Sequence, residues 1–343
     1  MTLPETPGSL DAQGSLGTLG SLGESGVLAR IFPRLPAASG ELLGPGDDAA
    51  VISAPDGRVV ITTDMMVHGP DFRLAWSSPH DLGWKAAASN LADVAAMGAV
   101  PTALVVALAA PADTEVAFLE AFADGLRAGC EAMAPGCGVV GGDLSVSPTL
   151  TIAVTAFSDL EGRAPVTRAG ARVGDTVAVS GVLGAAAYGL HLLFASAPAP
   201  DATAAAALKL EHPAAIAAQL APHPPIADGP AAALAGATAM LDLSDGLAID
   251  ARRLALASGV GLDLSAAAVA AGFPFDEPHD PRVCLDGGED HSLLATFPAG
   301  TELPAGFRAI GLVVDGEGVL VNGVPYVARS GWDPYENWDG AAG

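Results

Sequence analysis

Aspartates recur in this chain beside hydroxyls and glycines, where apolar runs end. They stand in "GPGDDAAV" (Asp47, Asp48), "ITTDMM" (Thr62, Thr63, Asp64), "NLADVAAMGA" (Asn90, Asp93), "VGGDLS" (Gly141, Gly142, Asp143), "LDLSDGL" (Asp242, Ser244, Asp245) and "DGGEDHS" (Glu289, Asp290). Carboxylates with neighbouring hydroxyls are the oxygen ligands that hard divalent cations take. Brought together without a cation, they would repel one another. Convergence of these segments therefore implies Mg²⁺ or a similar ion. Taken singly, "GDD", "GGD" and "DGGED" read as turns, since Asp beside Gly is a turn former. "TTD" says more, because three consecutive oxygen side chains at the end of an apolar strand are costly unless used. Asp93 says most: it stands mid-helix among Leu91, Val94 and Ala95, where periodicity assigns no solvent-facing position. Ser244 and Asp245 have a second reading, as the cap of the helix that follows them.

Other chemistries lack their residues. The chain has no G-x-x-x-x-G-K-[ST], no G-x-G-x-x-G after a strand and no G-x-S-x-G, which removes the P-loop, the dinucleotide fingerprint and the nucleophile elbow. The seven histidines include no H-x-x-x-H, and most sit beside Pro or in loops. Gly181 and Gly184, at a strand-to-helix turn, read either as phosphate-facing backbone or as helix-packing glycines. Three cysteines without a C-x-x-C argue for packed free thiols over disulfides or a zinc site. Fifteen basic residues, only Lys85 and Lys209 among them lysines, face 39 acidic ones for a net charge of −24. Such a surface repels nucleic acid and anionic membranes; anionic substrates would need cations as bridges. No apolar run reaches membrane-spanning length and no secretory signal opens the chain, so a cytoplasmic protein is expected.

The elements that must position these groups follow from pattern. Residues 1–22 read as a disordered tail. "GVLARIFPRL" is a short amphipathic helix, and "DDAAVISAP" and "RVVITTDMMV" are strands around "PDG". Ser78 caps and Pro79 opens a helix striped by Leu82, Ala86, Leu91 and Val94. A strand to Pro111, a helix over "ADTEVAFLEAFADGLRAGCEAM" with an acidic first turn, and two more strands complete the first half. The second half restarts at "GDTVAVS" as strand, glycine turn and helix. "SAPAPDATAAAALK" reads as a surface connection, and two proline-separated short helices follow. "ATAMLDLSDGLAIDARRLALASG" is strand, loop and helix, with strands and turns after it. Mixed strands and helices in both halves predict an α+β or mixed α/β fold of two domains dividing near Leu160 to Asp175.

In this order, "GDDAAV", "TTDMMVHGPDF", "DLGWKAAASNLADVAAMGA", "VVGGDLS", "TRAGARVGD", "LDLSDGL", "GGEDHSLL" and "GWDPY" resemble the thiamine-monophosphate kinases of the aminoimidazole ribonucleotide synthetase superfamily, over nearly the whole chain from Gly23. The resemblance implies phosphorylation of thiamine monophosphate by ATP, with direct in-line transfer assisted by several Mg²⁺ ions. It implies a homodimer whose N-terminal domains form a β-barrel across the two chains. Residues 23–160 would be the dimerisation and metal/nucleotide-binding domain, and 161–343 a C-terminal α/β domain completing the active site. Asp48, Thr62, Thr63, Asp64, Asp93, Asp143, Asp242 and Asp245 would hold Mg²⁺, with Asp48, Asp64, Asp93, Asp143 and Asp242 the catalytic set. Gly142, Asp143, Arg168 and Ser244 would contact ATP. Asp71, Glu289 and Trp332 would contact thiamine monophosphate, with Tyr335 or Trp338 as alternatives for the stacking aromatic. Asp71 stands where relatives often carry His, and "QLAPHPPIADG" lacks their basic residues. Two other readings are a related ATP-using synthetase and a non-catalytic acidic metal-binding protein. The selenophosphate branch needs a reactive Cys near an N-terminal Lys, and neither precedes the first strand.

Overall fold

The computed structural model describes residues 17–44, 50–197 and 199–327, apart from the side chains of 23–25. It has a mixed α/β architecture built on two large sheets, with a third of two strands. The first half runs α1 (Leu19–Ile31), β1 (Glu41–Leu43), β2 (Val51–Ile52), β3 (Val60–Val67), α2 (Pro79–Ala96), β4 (Val100–Ala110), α3 (Val116–Met133), β5 (Gly138–Val146) and β6 (Thr151–Asp159). β1 and β2 pair with each other, and the other four strands form a sheet in the order β3-β6-β4-β5. β6 is antiparallel to both its neighbours, while β4 and β5 are parallel. This sheet is open, with β3 and β5 as its edges.

Period-two alternation gives the sheet two unlike faces. On one face, Leu104, Ile152 and Val154 pack with Leu82 and Leu91 of α2 and Leu119 and Leu126 of α3, all buried. Each such leucine contributes roughly 1.5–3 kcal/mol by leaving water. The opposite face presents Ile61 and Met65, 58% and 61% exposed.

Helix α2 starts where expected. Ser78 accepts the Asp81 backbone N–H at 3.1 Å, and Asp81 accepts that of Ser78 at 3.0 Å, a reciprocal cap with Pro79 in the first turn. Its crossing with α3 is close because of glycine: a Cβ on Gly83 would lie 2.0 Å from the Phe122 carbonyl oxygen.

The second half runs β7 (Thr176–Ser180), α4 (Ala185–Ser196), α5 (Ala202–Glu211), α6 (Pro213–Leu220), α7 (Asp228–Leu234), β8 (Ala239–Leu243), α8 (Leu247–Ser258), β9 (Gly261–Leu264), α9 (Ala266–Ala270), α10 (Val283–Asp286), β10 (Ser292–Phe297), β11 (Phe307–Val314), β12 (Gly318–Val321) and β13 (Val324–Pro325). Its strands form one sheet in the order β13-β12-β9-β11-β7-β10-β8. Among the described residues β8 is an edge strand bonded only to β10, yet all five of its residues are buried. The cover comes from α2, which lies against both β8 and β10 as well as β3 and β6. With 13 of 18 residues buried, α2 is the wall shared by the two sheets.

Several expectations shift. The expected tail, 1–22, overlaps α1, which begins at Leu19, where Leu19 and Gly20 donate backbone N–H to Thr114 and Ala112 carbonyls at 3.0 and 2.8 Å. "TTD" lies inside β3, not at its end. The expected surface connection after α4 contains α5, capped by Asp201, which accepts the Ala204 N–H at 2.7 Å. Asp113 and Glu115 precede α3, whose first turn holds no acid. The three cysteines are buried and free. Among the described residues, no helix is long and apolar enough to cross a membrane.

Candidate active site

Thr62 and Asp64 share the β3 face that looks toward α2. The Thr62 hydroxyl donates to Asp93 at 2.8 Å. The Asp64 backbone N–H donates to the Asn90 side-chain oxygen at 3.2 Å, and the Asn90 amide donates to the Ala86 carbonyl at 2.9 Å. Asn90 and Asp93 are neighbouring positions on one helix face. Across α2, β8 delivers Asp242, which is 6% exposed.

These carboxylates feel one another. Burial, then the charges of Asp242 and Asp64, push Asp93 up to about 7. Burial raises Asp64 as well, and Asp242 and Asp245 add to it against the opposing pull of His291. Sequence reasoning passed over His291, which faces Asp242 through Nδ1 at 3.3 Å and the Ser89 hydroxyl through Nε2 at 3.3 Å. Burial works to lower the His291 pKa, but the Asp242 hydrogen bond and charge carry it above its ordinary value. Among the described residues, no three His, Cys, Asp or Glu side chains are gathered tightly enough to hold a metal ion by themselves.

The loop after β8 corrects the capping reading. Helix α8 starts from Gly246 at φ 117°, with no side-chain cap from Ser244 or Asp245. Instead Asp250 reaches back from the first turn and accepts the N–H of Asp245 at 3.0 Å and of Gly246 at 3.1 Å. Arg253 donates to both Asp245 and Asp250 at 2.6 Å. Burial, then Asp242 and Asp245, push Asp250 up to about 7. Ser244 and Asp245 are thereby left lining a cleft with Asp64, Asp71, Asn90, Glu289 and His291.

A second cleft, about 260 Å³, adjoins the first and shares Asp71, Lys85 and Glu289 with it. Phe72, Trp76 and Phe194 also line it, and the Arg73 guanidinium stands 5.3 Å from the Trp76 ring. Asp71 accepts the Val67 N–H at 2.7 Å. Burial raises the Asp71 carboxyl, and Glu289 adds to the shift. Glu289 is paired with Lys85 at 3.0 Å and accepts from the Gln219 amide. Burial would raise Glu289, but the Lys85 ammonium and these hydrogen bonds hold it below the usual carboxylate range.

Not all the expected residues converge. Thr63 points to the opposite face of β3, where its hydroxyl meets Thr155 and the Val154 carbonyl. Asp143 sits on β5, in register through Ala107 and Ala153 with Met65, which places it on that same exposed face. Arg168 is exposed in the connection between β6 and β7. Asp47, Asp48, Trp332, Tyr335 and Trp338 lie outside the described residues. At the helix end of the turn with Gly181 and Gly184, donors are taken: Asp290 accepts the N–H of Gly184 at 2.5 Å and of Ala186 at 2.8 Å. Asp290 thus caps α4, and those two N–H groups are not open to a phosphate. Lys85 was legible as a lysine on the apolar stripe of α2, and Asp250 as an acid inside a first helical turn; His291 follows its motif acids with no comparable signal.

The family of AIR synthase related proteins, N-terminal domain, matches residues 46–158. Thiamine-monophosphate kinase of Mycobacterium tuberculosis is 46% identical over 303 residues, covering 86% of each chain. The crystal structure of thiamine-monophosphate kinase from Stenotrophomonas maltophilia matches with a TM-score of 0.73 at 31% identity, covering 88% of this chain and 95% of that one. AaThiL complexed with AMPPCP and TMP matches with a TM-score of 0.69 at 32% identity, over 91% and 97% of the two chains.

Proposed function

This chain belongs to the thiamine-monophosphate kinase family, and we propose that it transfers the γ-phosphoryl group of ATP directly onto the phosphate of thiamine monophosphate, giving thiamine diphosphate and ADP. The observation that carries the reading is the electrostatic meeting of Asp64 and Asp93 with Asp242 and Asp245, two of which, Asp64 and Asp245, line a cleft that adjoins an aromatic, acid-walled one. In the transfer, the bond from the γ-phosphorus to its bridging oxygen breaks as an acceptor phosphate oxygen bonds to phosphorus. That oxygen is already anionic, so no strong general base is needed; positioning and charge neutralisation are.

Mg²⁺ fits the donor set. Asp64 and Asp93 are held toward their protonated forms by burial and by neighbouring charge, and a divalent cation relieves both. Mg²⁺ typically takes one or two carboxylates together with substrate phosphates, which suits a site with no three-acid cage among the described residues. We assign Asp48, Thr62, Thr63, Asp64, Asp93, Asp143, Asp242 and Asp245 to several such ions, no one of which would take them all. When bound, they would neutralise the phosphates of both substrates. Gly142, Arg168 and Ser244 are assigned to ATP, with Arg168 offering a planar donor fork. The second cleft suits the cationic thiamine rings: Asp71 and Glu289 supply charge and Trp76 and Phe194 supply faces for cation–π contact. Trp332 is assigned to the same substrate.

The exposed face of the first sheet supports a homodimer. Ile61 and Met65 are large apolar groups left open there, and pairing two such faces into a barrel would bury them. Thr63 and Asp143 lie on that face and would join a site only in the dimer.

The test is direct: purified protein with ATP, Mg²⁺ and thiamine monophosphate, with thiamine diphosphate and ADP followed by chromatography. Equal yields of the two products are expected. ADP without thiamine diphosphate, or neither product, refutes the reading.

A further inference from the structure

Lys85 is 4% exposed, a lysine inside a helix face of alanines. A buried ammonium needs partners. It has two, Glu289 at 3.0 Å and the Gln219 carbonyl at 3.2 Å. An ammonium carries three N–H donors, so one has no partner among the described residues. The side chain also stands where the two clefts meet: among the described residues, only Asp71, Lys85 and Glu289 wall both. On the proposed reading, the ring system of the acceptor occupies the aromatic cleft and its phosphate must pass this junction to reach the aspartates. Two of the three residues there are carboxylates that repel a phosphate. The third is Lys85.

We infer that Lys85 binds the acceptor phosphate through its remaining donor and is the residue by which the site distinguishes a phosphorylated thiamine from thiamine itself. The inference rests on the proposed function and adds a contact that none of the assigned residues supplies. The pair with Glu289 gives the lysine a second consequence. One carboxylate answers both the ammonium and the ring cation, so the phosphate-binding and ring-binding groups are held in fixed relation across the junction.

Lys85→Met tests it, with dissociation constants for thiamine monophosphate and for unphosphorylated thiamine measured calorimetrically at pH 8 and KM for MgATP measured in turnover. Loss of a charge-assisted hydrogen bond predicts roughly 10- to 100-fold weaker binding of thiamine monophosphate. Thiamine should bind as before or more tightly, since Glu289 is then free to face its cation, and KM for MgATP should stay within about threefold. Equal weakening for both ligands, the outcome of a merely structural lysine, overturns the inference, as does unchanged affinity for thiamine monophosphate. Should Lys85→Met not fold, as judged by circular dichroism, Lys85→Gln is measured in the same way and decides. Failure of the kinase reading is separate: it appears as wild-type protein that makes no thiamine diphosphate.

Discussion

Replacing Asp93 by asparagine should strengthen the metal-free fold while removing turnover. The Asp93 carboxyl is pushed from an ordinary 3.8 up to about 7, so the folded chain holds this proton more tightly than the unfolded one. Between those values the folded state binds more protons, and stability therefore falls as pH rises through the window and is lowest above it. The window spans about 3 pH units at ~1.36 kcal/mol each, a penalty of ~4 kcal/mol above neutrality. Burial of the charge is the largest part of that penalty and repulsion by Asp242 and Asp64 the rest; asparagine removes both but still buries an amide, so about half, ~2 kcal/mol, should be recovered. Asparagine keeps an oxygen for the Thr62 hydroxyl, now at 2.8 Å, so little else changes. The assay is urea denaturation of chelator-treated protein between pH 4 and 8, with and without Mg²⁺. Asp93→Asn should exceed wild type at pH 8, and the gap should close toward pH 4. Mg²⁺ should stabilise wild type more than the variant, whose turnover should fall at least ~100-fold. A variant less stable than wild type at pH 8 would refute the electrostatic argument; one with wild-type turnover would refute the metal assignment.

Three further outcomes are expected. Met65→Lys places a charge on the exposed sheet face and should shift sedimentation to the monomer at concentrations where wild type is a dimer; a wild type already monomeric at tens of micromolar would end the dimer proposal. Asp290→Ala uncovers the N–H groups of Gly184 and Ala186 and should cost about 1–2 kcal/mol in denaturant unfolding, whereas an unchanged midpoint would show that the cap contributes nothing. Gly83→Ala drives a methyl toward the Phe122 carbonyl and should lower stability by about 1–3 kcal/mol; a higher melting temperature would mean that α2 and α3 can separate without cost.

Periodicity and capping residues made most elements legible in the chain. The stripe of α2, its Ser78–Pro79 start and the alternation along β3 are local properties, written into neighbouring residues by side-chain direction and backbone hydrogen bonding. Long-range geometry was not. Alternation alone separates Thr62 and Asp64 from Thr63, but nothing near residue 62 says which face α2 covers. The helix at 202–211 was missed because its alanine-rich segment follows two prolines and has little amphipathic contrast. Ser244 and Asp245 looked like a cap until Asp250, later in the helix, proved to hold the loop's N–H groups.

By itself, the sequence determined the residue types, the acidic balance, the helices and strands, and through its ordered motifs the family. What the tertiary structure decided is which carboxylates share a field. Asp93 and Asp242 lie 149 residues apart, and they interact because the buried helix α2 covers the edge strand β8. The same packing sets Lys85 between two clefts, while within the second half the segment before β10 brings Asp290 to the turn at Gly184. Burial and charge proximity act through space, and only the packing of two sheets on one helix sets those distances.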